Sequence, residues 1–164
     1  MKTTIVIYGS STGTCEAIAE KIASKLGCDA QNVQDLSADV VAANENLILG
    51  TSTWGAGELQ DDWYDGLNTL KGADLNGKTI AIFGCGDCST YSDTFVGGMG
   101  ELYNGIKDSG AKFIGQVETD GYTFDDSEAV IDGKFIGLPL DDINEDDKTD
   151  TRIDAWLSAI TPSL

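Results

Sequence analysis

Four hydroxyl residues crowd into five positions, Ser10, Ser11, Thr12 and Thr14, with Gly13 among them and Cys15-Glu16 following. The apolar run Ile5-Val6-Ile7-Tyr8 precedes this group, and a helical pattern, Ile18, Ile22 and Leu26, begins just after it. A strand, a hydroxyl-rich turn and a helix in that order make an anion site. The first N–H groups of a helix have no partner inside it and carry the positive end of its dipole. Small residues let a phosphate approach those donors, and the hydroxyls add donors of their own. No Lys or Arg lies between Gly9 and Glu16. That argues against a triphosphate loop, which needs Gly-Lys-Ser/Thr, and favours one phosphate group held by neutral donors. The plainer alternative is a capped strand-to-helix turn, since Ser and Thr are common N-caps. A cap, however, uses one hydroxyl and not four.

The elements that must position this turn follow from hydrophobic spacing. Strands are expected over Thr3–Tyr8, Asn32–Gln34, Leu47–Gly50, Thr79–Gly84, Lys112–Val117 and Phe135–Leu138. Phe95, Met99, Leu102 and Ile106 share one helical face, as do Ile153, Trp156, Leu157 and Ile160, and Trp63, Leu67 and Leu70 mark a shorter helix. The first, third and fourth strands are continuously apolar, as in a parallel sheet covered on both sides. Alternating strands and helices imply a doubly wound α/β fold over residues 1–164, read as a single domain. In such sheets ligands bind beyond the carboxyl ends of the strands. Two further loops leave such ends: Thr51-Ser52-Thr53-Trp54-Gly55-Ala56-Gly57-Glu58-Leu59, and Gly84-Cys85-Gly86-Asp87-Cys88-Ser89-Thr90-Tyr91. Each places an aromatic in a Gly-rich loop. Trp54 and Tyr91 together could sandwich a flat ring. A phosphate tail and a planar head describe flavin mononucleotide, FMN.

On these residues the chain resembles the flavodoxin family, along essentially its whole length. The resemblance rests on Ser10-Ser11-Thr12-Gly13-Thr14, on Thr53-Trp54-Gly55 with Gly57-Glu58-Leu59-Gln60, and on Gly84-x-Gly86-Asp87 with Tyr91. Thr119-Asp120-Gly121-Tyr122 and Gly133-Lys134-Phe135-Ile136-Gly137-Leu138 bracket the insertion that splits the fifth strand in the long-chain subgroup. The resemblance implies a five-stranded parallel sheet of order 2-1-3-4-5 with FMN at the switch point. It also implies a low-potential one-electron carrier rather than an enzyme, with no catalytic residue and no metal. The cofactor-binding residues it implies are Ser10, Ser11, Thr12, Gly13, Thr14 and Cys15, then Ser52, Thr53, Trp54, Gly55 and Ala56, then Cys85, Gly86, Asp87 and Tyr91. Three positions depart from the family's usual pattern. Cys15 stands where a Thr commonly donates to the phosphate. Thr94 stands where an Asn often lies near the ribityl chain, and Ile143 where an Asp often does. Asp87 invites a general-base role, but the family uses mainly backbone groups there.

Rival chemistries fit less well. Cys85-Gly86-Asp87-Cys88 is formally a C-x-x-C, yet it sits inside the flavin-loop pattern, and no second pair completes a zinc site. A phosphoacceptor receiver needs an Asp at the end of the third strand, where this chain has Gly50-Thr51-Ser52. A flavin enzyme such as a small quinone reductase needs an open pocket over the ring, which Trp54 and Tyr91 would cover. The chain has 28 Asp and Glu against 10 Lys and Arg, a formal charge of −18, and no His. That excludes His-dependent catalysis and repels nucleic acid and anionic membranes. It attracts basic partners. Within the family these include ferredoxin–NADP reductase, photosystem I, nitrogenase and pyruvate oxidoreductases. No stretch approaches the ~18 apolar residues of a membrane span, and the N-terminus does not read as a signal peptide. A monomeric cytoplasmic protein with free thiols at Cys15, Cys28, Cys85 and Cys88 is expected.

Family members rotate the peptide after the position of Gly55 so that its carbonyl meets the flavin N5–H of the neutral semiquinone. Glycine lowers the steric cost of that rotation. Gly55→Val is therefore expected to narrow the gap between the two one-electron potentials in a spectroelectrochemical titration. An unchanged gap contradicts the rotation.

Overall fold

The computed structural model describes residues 3–54, 57–89 and 91–164, with Trp54 described through its backbone alone. β1 (Thr4–Gly9) leads through α1 (Thr14–Leu26) to β2 (Asp29–Asn32), α2 (Ala38–Ala43), β3 (Asn46–Trp54) and a short β4 (Glu58–Leu59). Next come α3 (Asp62–Gly72), β5 (Thr79–Cys85) and α4 (Gly97–Ile106). β6 (Lys112–Ile114), β7 (Val117–Glu118), β8 (Val130–Ile131), β9 (Lys134–Phe135) and β10 (Leu138–Leu140) precede the last helix, α5 (Thr149–Ile160).

The main sheet runs β2-β1-β3-β5, all parallel, and the far edge of β5 carries two strands end to end. β6 pairs with Thr79–Ala81 and β10 with Phe83–Cys85. With that split strand counted as one, and β4 set aside as the antiparallel return of β3, the order is the expected 2-1-3-4-5. Residues 115–137 leave between the two halves and build a small antiparallel sheet, β7-β9-β8.

The apolar runs divide cleanly between the two faces. Leu47 and Leu49 join Ile80 and Ile82 under α3 and α4, with Leu67, Leu70, Met99 and Leu102. Ile48 points the other way, with Val6, Ala81 and Phe83, to Ile18 and Ile22 of α1 and Ile153 and Trp156 of α5. Successive strand residues face opposite sides, so two covered faces require an unbroken apolar run. Burial, not ion pairing, docks α5. Ile153 is fully buried and Trp156 nearly so, at about 1.5–3 kcal/mol each for side chains of this size. The pairs Lys21–Asp150 and Lys25–Asp154 lie largely in solvent, where screening and side-chain entropy cancel most of the attraction. Among the described residues no helix is long and apolar enough to cross a membrane.

Four expectations need correction. The second strand ends at Asn32 rather than running from Asn32 to Gln34, because the Asn32 side chain accepts from Gln34 N at 2.9 Å and turns the chain into a 3-10 helix over Val33–Asp35. The expected Lys112–Val117 strand breaks at Gly115, whose φ of +85° turns the chain out of the sheet and whose carbonyl accepts from Trp156 Nε1 at 2.9 Å. The expected Phe135–Leu138 strand straddles β9 and β10, and Gly137 between them passes so close to the Ile82 backbone that a side chain has no room. Phe95 is buried but lies outside α4, since Val96 adopts φ +46° before the helix begins.

Candidate functional site

The hydroxyl turn lies at the carboxyl end of β1, and its conformation leaves α1 open. Gly13 occupies the N-cap position at φ +90° and ψ −9°, and no side chain caps the helix. Ser10, the expected kind of cap, instead accepts from Gly13 N at 3.1 Å and shapes the turn itself. Ser11 accepts from Gln60 Nε2 at 3.1 Å. Gln60 is buried, and its amide also binds Asp62 through Nε2 at 2.9 Å and Oε1 at 2.9 Å. Beneath the turn, Trp63 Nε1 donates to Gly50 O at 2.7 Å. A Cβ on Gly9 would sit 2.5 Å from both Gln60 Oε1 and Trp63 Cδ1. Glycine there lets Gln60 and Trp63 prop the turn from below. First-turn N–H groups are thus left pointing outward with a dipole behind them.

Thr12 and Thr14 of this turn line a cleft of about 220 Å³. Ser52 and Thr53 line it from the end of β3, and Cys85, Gly86, Asp87 and Tyr91 from the end of β5. The three expected loops therefore converge. Thr94, Phe95 and Val96 form a further wall, and Asp142 and Ile143 another. Ser10, Ser11 and Gly13 shape the turn rather than the cleft wall. The Cys15 side chain is fully buried among residues of α1 and α5, which leaves its backbone N–H as the group it can offer the turn. The side chain of Trp54, together with Gly55 and Ala56, lies outside the described residues, so the Trp54 half of the expected sandwich does too. Tyr91 stands at the rim, 46% exposed.

Close backbone contacts fix the walls. A Cβ on Gly97 would come 2.8 Å from Gly57 Cα, and one on Gly98 would come 2.9 Å from Ser52 O. Gly98 N donates to Thr53 Oγ1 at 3.1 Å. The α4 N-terminus is thereby pressed onto the β3–β4 return. Thr94 Oγ1, on the cleft wall, is buried without any hydrogen-bond partner in the described structure. An orphaned buried hydroxyl is costly unless something else satisfies it.

Asp141 ties two walls together. It follows β10 directly and is fully buried. One oxygen accepts from Ile143 N at 3.0 Å and Asn144 N at 2.9 Å; the other accepts from Cys88 N at 2.9 Å and Asn144 Nδ2 at 2.9 Å. Asn144 Nδ2 also reaches Asp87 Oδ1 at 2.7 Å, and Asp87 Oδ1 accepts from Ser89 N at 3.0 Å. The Asp87 carboxylate thus fastens its loop to the Asp141–Asn144 turn. Burial pushes the Asp141 carboxyl upward, but donation from Cys88 and Asn144 outweighs it and holds the group below its ordinary range. No signal of type or spacing marked Asp141 beyond its place at a strand's carboxyl end, and Phe95 and Val96 carried only apolar patterning.

All four cysteines are free. A hydrogen bond with Cys15 and then burial hold the Cys85 thiol well above its ordinary range. Burial, then Asp141, push Cys88 up to about 12. Both thiols stay protonated at neutral pH, and a protonated thiol is a poor nucleophile. The C-x-x-C spacing therefore has no reactive thiolate behind it.

Comparison with known proteins agrees with this geometry. Residues 6–156 match the family model described as Flavodoxin. The chain is 45% identical to flavodoxin 1 of Azotobacter vinelandii, over 94% of this chain and 93% of that one. It is 42% identical to a flavodoxin of Nostoc sp., again over 94% and 93%. A crystal structure of Fusobacterium nucleatum flavodoxin bound to flavin mononucleotide superimposes with a TM-score of 0.93 at 32% identity, covering 100% of this chain and 99% of that one.

Asp141 sets a pH signature. Its folded value lies below its unfolded one, so its stabilising contribution is present above about pH 4 and is lost as pH falls through the folded value. Asp141→Asn is expected to cost about 2–3 kcal/mol at pH 7 in urea unfolding and to flatten the acid limb of stability against pH. An acid limb identical to wild type contradicts this role.

Proposed function

The chain belongs to the flavodoxin family, and from that premise we propose that it carries electrons one at a time on non-covalently bound FMN, its 164 residues forming one FMN-binding unit. The observation that carries the reading is the orphaned Thr94 hydroxyl, buried on the wall of a cleft that runs from the open end of α1 to Tyr91. FMN fits those three features in order, with a phosphate, a chain of hydroxyls and a flat ring.

The Ser10–Cys15 turn would hold the phosphate through first-turn N–H groups and through the hydroxyls of Thr12 and Thr14, with neutral donors only. Thr94 would satisfy its hydroxyl on the ribityl chain. Ser52, Thr53, Trp54, Gly55 and Ala56, with Cys85, Gly86, Asp87 and Tyr91, would enclose the ring. When bound, FMN supplies one-electron chemistry among its oxidised, half-reduced and fully reduced states. The chain's own part is electrostatic. Asp87 and Asp142 line the cleft and Asp141 lies fixed beneath it, while no Lys or Arg lines it among the described residues. These carboxylates oppose added negative charge on a reduced ligand, which lowers its potential.

A formal charge of −18 suits docking to redox proteins with basic patches, by electrostatic steering to the open rim. The reading takes the protein as a cytoplasmic monomer that passes electrons to partners rather than reducing small substrates itself.

Titration of apoprotein with FMN and with riboflavin, followed by quenching of flavin fluorescence, tests this. FMN should saturate at one per chain. Riboflavin should bind about 100-fold more weakly, because it lacks the phosphate and its charge-assisted hydrogen bonds. Equal affinities contradict the phosphate turn, and a chain that takes up no FMN contradicts the whole reading.

A further inference from the structure

We propose that the excursion between the two halves of the fifth strand, residues 115–137, clamps the 91–96 turn of the cleft, with Ser127 as its positioning residue. The role rests on the FMN reading above. Val96 is the reason a clamp is needed. It is β-branched and fully buried, lines the cleft, and sits at φ +46° and ψ +31°. Branched side chains rarely take that left-handed conformation, and such strain persists only where the surroundings over-determine it. Relaxation at Val96 would swing Tyr91 and Thr94 relative to α4.

The turn is held from three sides. From below, Gly86 approaches closely enough that a Cβ there would be 3.0 Å from Val96 Cγ1 and 3.1 Å from Val96 N. From the β3–β4 return, Gly57 abuts Gly97. The third side is the excursion. Ser127 is buried, donates its hydroxyl to the carbonyl of Phe95 immediately before the strained residue, and accepts from Ala129 N at 3.1 Å. Ser92, earlier in the turn, donates to Asp125 Oδ2 at 2.8 Å, and its carbonyl accepts from Asp125 N at 2.7 Å and Asp126 N at 3.0 Å. The Phe95 ring packs against Tyr122, Phe124 and Phe135 at centroid distances of 6.3, 5.8 and 6.0 Å. All three of those rings belong to the excursion. A Cβ on Gly100 would lie 2.6 Å from Glu128 O, so the excursion also backs onto α4. Ser127 does not line the cleft. It acts on the ligand through the Phe95–Val96 peptide.

The alternative is that Ser127 merely satisfies a buried hydroxyl, with no bearing on the strained turn. A double-mutant cycle with FMN as the probe separates the two. Glycine accepts the left-handed conformation without strain, so Val96→Gly removes the need for the clamp. Ser127→Ala is expected to weaken FMN binding about tenfold in the native background but less than about twofold in the V96G background. It is also expected to change the visible circular dichroism of the bound flavin in the native background only. If S127A does not fold, Ser92→Ala cuts the other hook, and the same inequality between backgrounds is expected. Equal losses in both backgrounds, or unchanged affinity and flavin dichroism in the native one, overturn the clamp while FMN binding by the wild-type chain stands. A wild-type chain that binds no FMN overturns the reading beneath it instead.

Discussion

One edge of β5 has to accommodate two strands that are not continuous in the chain. β6 occupies the register of Thr79–Ala81 and β10 that of Phe83–Cys85, so the residues between them must leave the sheet and return to the same line. Much of the site depends on that return. Because β10 ends opposite Cys85, the next residue, Asp141, arrives buried at the carboxyl edge, beside the loop that follows β5. Because the excursion departs at Gly115 and comes back at Gly137, its aromatic residues fall against Phe95 on the opposite wall. A continuous fifth strand would leave Phe95 without those rings.

The cleft separates two electrostatic tasks. The Ser10–Gly13 turn offers an anion only neutral donors and the end of a helix dipole. The remainder of the frame is acidic, and its buried carboxylate is stabilised by neutral donors rather than by a cation. Neutral donors satisfy an anion without cancelling its long-range field. The field of Asp141 therefore persists at the cleft, where a paired Lys or Arg would have quenched it. A site built this way would hold a phosphate yet resist further negative charge nearby, the combination the proposed low-potential flavin carrier requires.

The central sheet was legible because burial on both faces leaves an unmistakable apolar run, as in Leu47-Ile48-Leu49. The hydroxyl turn was legible because four side chains of one chemistry exceed any capping need. The edge strand β2 was displaced because Asp29-Ala30-Gln31-Asn32 carries almost no apolar signal, and α2 went unforeseen because it is short. The break at Gly115 depends on Trp156, which lies far along the chain. The inward side chain of Cys15, the bracing by Asp141 and the strained φ of Val96 are all products of tertiary packing. Residue type alone assigns a serine such as Ser127 to a loop surface, whereas it is buried between the excursion and Phe95.

Stepwise anaerobic reduction of the FMN-loaded protein is the sharpest test of one-electron transfer on a bound flavin. The visible spectrum should pass from two flavin bands to a broad long-wavelength band of half-reduced flavin, and then to a bleached form, in two resolved steps. Direct bleaching in a single two-electron step would rule out one-electron transfer and place the protein among flavin enzymes that handle electron pairs.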